Sequence, residues 1–363
     1  MAIAYDLKKL QPDIEIIYIG EHGGKFGHLA KDLQYIDKVK TVYAGKFRRY
    51  HKQSWKNRIT DYKTNLLNFR DLFYVIIGFF QSILLIRHLK PDVIFLKGGY
   101  VGLPVGLAGA LLEKAYVTHD SDSIPSLTNK LVAKWAVYNT TGMPKDLYSY
   151  PEYKTLFVGV PVAPEYKYIT ETIKNSSRKD INIPINAKLL LITGGSLGAI
   201  RLNKAVSDIV NTLFKEIKDL YIVHQVGKGN TSVYKNIDNP RLKVVEFVND
   251  LDKYSAAADI IITRSGANTV AELAVQGKAT IIIPNPELTG GHQTMNASIL
   301  KEKDAAIVIS EGELKNDPSL LKNNILNLFK DNNKREEMGN NLRKVSVPDS
   351  SKKIAMLLLT LTN

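Results

Sequence analysis

What most constrains the fold is a regular alternation along the chain. Runs of branched aliphatic residues recur as IEIIYI (14–19), DVIFL (92–96), AYVTH (115–119), TLFVG (155–159) and KLLLITG (188–194). They continue as LYIVHQV (220–226), LKVVEFV (242–248), DIIITRS (259–265) and ATIIIP (279–284), with helix-length stretches between them. A strand that is apolar throughout needs cover on both faces, and intervening helices provide it. The pattern therefore predicts an α/β fold with parallel sheets. A chain of 363 residues exceeds one hydrophobic core, so two domains are expected. The rhythm pauses at 159–187, a polar, proline-containing stretch, and the boundary is placed there. That gives a first domain over 1–160, a second over 161–345, and a last helix over 346–363 packing back on the first. Two doubly wound domains facing a cleft would hold ligands at the carboxyl ends of their strands.

Charge and composition narrow the chemistry. Lys and Arg total 49 against 36 Asp and Glu, a net charge of +13 that favours an anionic partner. There is no cysteine, which excludes disulfides and thiolate catalysis. The first residues lack the pattern of a signal peptide, so a cytoplasmic location is expected. GKFRRYHKQSWKNR (45–58) carries Lys46, Arg48, Arg49, Lys52, Lys56 and Arg58 with no acid, interleaved with Phe47, Tyr50 and Trp55. LFYVIIGFFQSILLI (72–86) follows, apolar except for Gly78, Gln81 and Ser82, and shorter than the ~20 residues that span a bilayer. Two readings stand. One is a buried core helix beside a solvated basic loop; the other is a helix in a membrane interface held by basic and aromatic anchors. Nucleic acid is not expected, because no nucleic-acid-binding motif accompanies the charge.

Three glycine-bearing turns follow strands. The first holds Gly98, Gly99 and Tyr100 in LKGGYVG, and the second holds Gly194, Gly195, Ser196 and Gly198 in TGGSLGA. Such turns let a backbone approach a phosphate, with a helix N-terminus behind it, although many merely turn the chain. The third, TRSGANTVAELAVQG, turns at Ser265-Gly266 and begins a helix over Asn268 to Val275, which takes in Thr269, Val270 and Ala271, with Ala267 just before it and Glu272 one turn inside. A carboxylate there suits ribose hydroxyls, or else stabilises the helix dipole. NPELTGGHQTMNAS brings His292, Gln293 and Asn296 after a glycine-rich loop. THDSDS places His119, Asp120 and Asp122 at a strand end, where a histidine–carboxylate pair suits acid–base work and a carboxylate also suits helix capping.

Six of these stretches, in order, resemble the MurG family, which transfers N-acetylglucosamine to the undecaprenyl-linked muramyl-peptide precursor of peptidoglycan. They are KPDVIFLKGGYVGLPVGLAG, HDSDSIPSLTNKLVAK, TGGSLGAIRLN, EFVNDL, RSGANTVAELAVQGKATIIIP and HQTMNA. The resemblance implies a two-Rossmann-domain (GT-B) inverting hexosyltransferase with UDP-N-acetylglucosamine as donor and no required metal or cofactor. Ser196 would then touch the diphosphate, the Val248 backbone the uracil, and Ala267 to Thr269 the phosphates. Glu272 would bind the ribose, and Gln293, with His292, the sugar. Gly98, Gly99 and Tyr100 would serve the acceptor phosphate, and Asp122 stands where the family has Asn. The basic and apolar segments over 45–86 would meet the cytoplasmic face of an anionic membrane carrying the polyprenyl acceptor.

Other positions depart from the family pattern. Ser121 replaces Gln, Ala163 replaces the donor-contacting arginine of NPVR, and the loop arginine is displaced to Arg201. MAIAYDLKKL matches the helix that in the family follows a first strand and a GGTGGH loop, whose histidine is its best candidate base. We expect the gene to read on upstream of Met1 through such a loop. His119 and Asp120 are the remaining, poorer, candidates for the base. The alternatives are a sister transferase using another lipid acceptor, and a catalytically impaired nucleotide- or lipid-binding protein.

Overall fold

The structure is a computed structural model that describes residues 1–24, 34–48, 61–195, 198–287, 291–317 and 319–362. It divides into two compact units, one of 1–163, 287–292 and 347–363, the other of 164–286 and 293–346. Arg49, Lys52, Lys56 and Arg58 of the basic segment lie outside the described residues, as does Ser196.

In the first unit the elements are α1 (Ala2–Leu10), β1 (Ile17–Glu21), β2 (Lys38–Val42), α2 (Tyr62–Leu89), β3 (Ile94–Leu96), α3 (Gly102–Leu111), β4 (Tyr116–Asp120), α4 (Leu127–Val132), β5 (Tyr138–Thr141) and β6 (Thr155–Phe157). All strand pairs are parallel, but they form two sheets, β1-β2 and β3-β4-β5-β6. Among the described residues β1 pairs only with β2, and β3 only with β4. Helix α1 buries Ile3, Ala4 and Leu7 at helical spacing, and the carboxyl-terminal helix of the chain packs against it through Ile354, Ala355 and Leu358.

The sequence pattern missed β2, β5 and β12, and for β5 the reason is physical. Strand β5, YNTT, is buried, yet its groups bond instead of presenting hydrocarbon. Thr118 Oγ1 donates to Asn139 Oδ1 at 2.6 Å, and Thr140 Oγ1 donates to the Thr118 carbonyl at 2.8 Å. A buried strand whose hydroxyls are satisfied pays no desolvation penalty and leaves no hydrophobic signature.

The apolar stretch at 72–86 belongs to a longer helix than its hydropathy suggests. Helix α2 runs 28 residues from a cap in which Asp61 accepts from the Thr64 N–H. By length and composition it is long and apolar enough to cross a membrane. One stripe, Asp71, Val75, Gly78, Ser82 and Ile86, is seated in the unit. Its three non-apolar positions explain that seating. A Cβ at Gly78 would lie 1.8 Å from the Tyr43 carbonyl oxygen, so only glycine allows the approach. Gln81 Oε1 accepts from the Tyr43 N–H at 2.9 Å, and Ser82 Oγ donates back to the Gly78 carbonyl at 2.6 Å. The opposite face leaves Phe69, Phe73, Ile76, Ile77, Phe80 and Leu84 exposed.

The second unit contains α5 (Glu171–Asp180), β7 (Lys188–Thr193), α6 (Ile200–Glu216), β8 (Leu220–Gln225), β9 (Leu242–Val245), α7 (Leu251–Ala257), β10 (Ile260–Thr263), α8 (Ala267–Gln276), β11 (Thr280–Ile282), α9 (His292–Glu302), β12 (Ile307–Val308), α10 (Glu311–Asn316), α11 (Ser319–Lys330) and α12 (Asn332–Val345); the chain ends in α13 (Ser350–Leu359), in the first unit. Its parallel sheet has the order β12-β11-β10-β7-β8-β9, which is the doubly wound 3-2-1-4-5-6 arrangement. Alternate residues of KLLLIT explain why the strand is apolar throughout. Leu190 and Ile192 pack with Leu202, Val206 and Leu213 of α6, whereas Leu189 and Leu191 pack with Val270, Leu273 and Ala274 of α8. Each face has its own helix layer. Chain direction across the sheet therefore reverses between β7 and β10.

Candidate functional site

That reversal positions the site. β7 and β10 are adjacent and in register, Thr193 opposite Thr263, so the loops that follow leave the same sheet end. After β7 the Gly198 N–H donates to the Gly195 carbonyl at 3.0 Å. Gly198 has φ +74°, and a Cβ there would lie 2.3 Å from the Val226 carbonyl oxygen, so this position requires glycine. Helix α6 follows with Ala199 at its N-cap, and α8 follows Gly266; neither helix has a side-chain cap. Two helix N-termini, each with amide donors and a positive dipole end, therefore lie beyond adjacent strands. That is the arrangement that binds a phosphate.

Side chains hold the β10 loop in place. Arg264 is buried, donates to the Ile283 carbonyl at 2.9 Å and pairs with Glu311 at 2.7 Å. Arg201, the displaced loop arginine, pairs with the same Glu311. Ser265 Oγ donates to the Gln293 carbonyl at 2.7 Å, and Asn296 Nδ2 donates to the Ser265 carbonyl at 3.0 Å. Gln293 Oε1 accepts from the Asn285 N–H at 2.9 Å. The start of α9, picked out as a polar cluster, is thus joined to the start of α8. Ala267, Asn268, Thr269, Val270 and Ala271 form the first turn and a half of α8, and Glu272 stands half-buried beyond them. Tyr166 lies beside Glu272; burial, with the Glu272 carboxylate next, raises its pKa. Val248 is buried and donates its N–H to Gln225 Oε1 at 3.1 Å.

The first unit holds the other candidates. Gly98 and Gly99 follow β3, and a Cβ at Gly98 would lie 2.8 Å from Ser126 Oγ, so this loop abuts the one after β4. Tyr100 donates to Glu21 Oε2 at 2.6 Å; burial first, then Glu21, pushes its pKa up to about 12. Asp122 is half-buried, its carbonyl accepting from the Tyr148 hydroxyl at 2.7 Å. His119 is fully buried, with Nδ1 3.1 Å from Thr140 Oγ1 and Nε2 3.2 Å from Ser121 Oγ. Burial, aided by Lys97, pushes its pKa down to about 3. Asp120 accepts from the Ser126 N–H at 2.8 Å and the Tyr150 hydroxyl at 2.6 Å, and burial raises its pKa. A neutral enclosed imidazole and a carboxylate with both oxygens engaged are parts of the framework; this geometry argues against either as the base. Among the described residues no cluster is arranged to hold a metal ion.

Three residues escaped sequence reasoning. Glu21 and Tyr166 carry no local pattern at all. Gln225 had a signal, a polar pair ending the otherwise apolar LYIVHQ.

The chain is similar to known glycosyltransferases. Residues 1–138 match the glycosyltransferase family 28 N-terminal domain and residues 189–354 match the glycosyltransferase family 28 C-terminal domain. A Clostridium perfringens protein is 32% identical over 351 residues, 95% of this chain and 89% of its own. A Borrelia hermsii protein is 31% identical over 365 residues, 99% of this chain and 92% of its own. Both are named UDP-N-acetylglucosamine–N-acetylmuramyl-(pentapeptide) pyrophosphoryl-undecaprenol N-acetylglucosamine transferase. The crystal structure of Acinetobacter baumannii MurG shares the fold, with a TM-score of 0.69 at 24% identity over 99% of this chain and 95% of that one. With paired family 28 domains, relatives matched over nearly their whole length and a doubly wound sheet reversing at a glycine turn, this chain belongs to the MurG family of glycosyltransferases.

Proposed function

We propose that this chain transfers N-acetylglucosamine from UDP-N-acetylglucosamine to a polyprenyl-pyrophosphate-linked muramyl-peptide, with inversion, at the cytoplasmic face of a membrane. The observation that carries this reading is the pairing of the glycine turn with the uncapped start of α8 at the sheet's reversal point, in a chain of this family. The donor diphosphate lies between the two helix N-termini, whose fixed amides stabilise departing UDP with no need of a cation. Ser196, outside the described residues, adds a hydroxyl there, and Glu272 takes the ribose diol. Val248 meets the uracil; Gln293 and His292 serve the sugar. In the first unit, Gly98, Gly99, Tyr100 and Asp122 line the acceptor side.

Membrane attachment is peripheral and uses α2. Its exposed phenylalanines continue into an apolar cleft of about 660 Å³ between α2 and α3, lined by Val75, Phe79, Phe80, Leu107, Leu111 and Trp135. One cation stands at its rim, Lys134 over the ring of Trp135 at 4.0 Å, and another, Arg70, lies elsewhere on α2 over the Tyr74 ring at 5.3 Å. Apolar rings flanked by cations suit the boundary of an anionic bilayer.

Transfer of radiolabelled sugar from UDP-N-acetylglucosamine, with the muramyl-peptide lipid or a diacylglycerol in vesicles, tests this. Label is expected in the muramyl-peptide lipid alone. Label in the diacylglycerol would reassign the acceptor, and UDP binding without transfer to either would make the chain a binding protein.

A further inference from the structure

The end of β8 is built around an amide that the proposed chemistry does not use. Gln225 is the last residue of β8, only 3% exposed, and sits in register with Thr193 of β7 on one side and Val245 of β9 on the other. Its Nε2 donates to the Gly195 carbonyl at 3.2 Å, while its Oε1 accepts from the Val248 N–H at 3.1 Å. This orientation alone pairs a donor with an acceptor at both ends. The same Gly195 carbonyl accepts from the Gly198 N–H. One side chain therefore bridges the turn proposed to cradle a diphosphate and the segment proposed to meet a base.

The support beneath Gln225 is rigid. The adjacent His224 is fully buried, its Nδ1 2.7 Å from the Tyr234 hydroxyl and its Nε2 3.1 Å from Asn203 Oδ1. Asn203, on the first turn of α6, donates to the Val226 carbonyl at 2.8 Å. Burial lowers the His224 pKa to about 3, so this network keeps one protonation state across neutral pH. Strand β8 and helix α6 are thus joined by these bonds, and Gln225 extends the join to the glycine turn and to Val248.

We propose that Gln225 is a positioning residue that fixes the glycine turn and the Val248 segment relative to one another, coupling recognition of the diphosphate to recognition of the base in a nucleoside diphosphate. The proposal rests on the nucleotide reading of this site. An amide is needed because one end must donate and the other accept. Glutamate keeps the acceptor for Val248 but sets a carboxylate against the Gly195 carbonyl. Methionine, of similar size, supplies neither bond.

The test is calorimetric titration of the full chain and of Gln225→Glu and Gln225→Met with uridine, UDP and CDP, with thermal unfolding followed in parallel. The unsubstituted protein is expected to bind UDP more tightly than uridine and more tightly than CDP. In Gln225→Glu the UDP-to-uridine ratio is expected to shrink about tenfold, in line with one or two lost or opposed hydrogen bonds, while the UDP-to-CDP ratio stays within about twofold. In Gln225→Met both ratios shrink. Ratios unchanged in both variants, or equal losses for all three ligands, would overturn the role of Gln225. Absence of any UDP-over-CDP preference in the unsubstituted protein would instead overturn the nucleotide reading, and the proposal with it.

Discussion

Replacing Glu272 by alanine is expected to weaken UDP binding by roughly 10²–10³-fold. A carboxylate that accepts from two vicinal hydroxyls makes two charge-assisted hydrogen bonds, each contributing about 1.5–3 kcal/mol. Losing both costs about 3–4 kcal/mol once water has partly replaced them. Glu272 is half-buried on the second turn of α8, whose first residues follow the buried loop pinned by Arg264 and Ser265. The loss should therefore report on the ligand rather than on collapse of the helix. The signature is chemical as well as quantitative. The unsubstituted protein should prefer UDP to 2′-deoxy-UDP, and Glu272→Ala should bind the two alike. Unchanged UDP affinity in the variant would remove the ribose role.

The second large effect concerns the membrane. Phe69, Phe73 and Phe80 are 60%, 50% and 60% exposed on α2, on the side away from its buried stripe. Replacing all three by serine is expected to weaken binding to anionic vesicles more than 100-fold, at about 1.5 kcal/mol per ring withdrawn from the bilayer boundary. Because the rings are already in water in the folded chain, the melting temperature should move little. Co-sedimentation with vesicles at equal protein concentration measures the loss, and retention of the triple variant on the vesicles would exclude this face. Charge reversal at Arg48 is a poorer probe. Its guanidinium pairs with Asp71 at 2.7 Å, and Asp71 is 2% exposed, so a glutamate there would confront a buried carboxylate and destabilise the fold directly.

Much of the second unit was legible from the pattern of residues because its strands are conventional. The LLLI of KLLLIT, the LYIV of LYIVHQ and the III of DIIIT are apolar on both faces, and each strand end carries turn chemistry. Helix α2 was half-legible. Hydropathy located its apolar centre but not its first ten residues, whose helical state follows from the Asp61 cap and from packing. Strand β5 was illegible, because its burial is balanced by hydroxyl–carbonyl bonds formed only when Thr118, Asn139 and Thr140 are already side by side.

The same distinction applies to the site. Local sequence determined which groups could bind an anion: glycines after strands, helix starts and a carboxylate one turn in. These are short-range properties of the backbone, set by steric freedom and amide geometry within a few residues. Only the tertiary structure decided which of them belong together, because adjacency of β7 and β10 is a fact of strand order. Only the tertiary structure shows that His119 is fully buried, which argues against it as a base, since burial is a property of neighbours and not of the residue. It also assigned Gln225, whose two partners lie 30 and 23 residues away along the chain and meet it through the sheet.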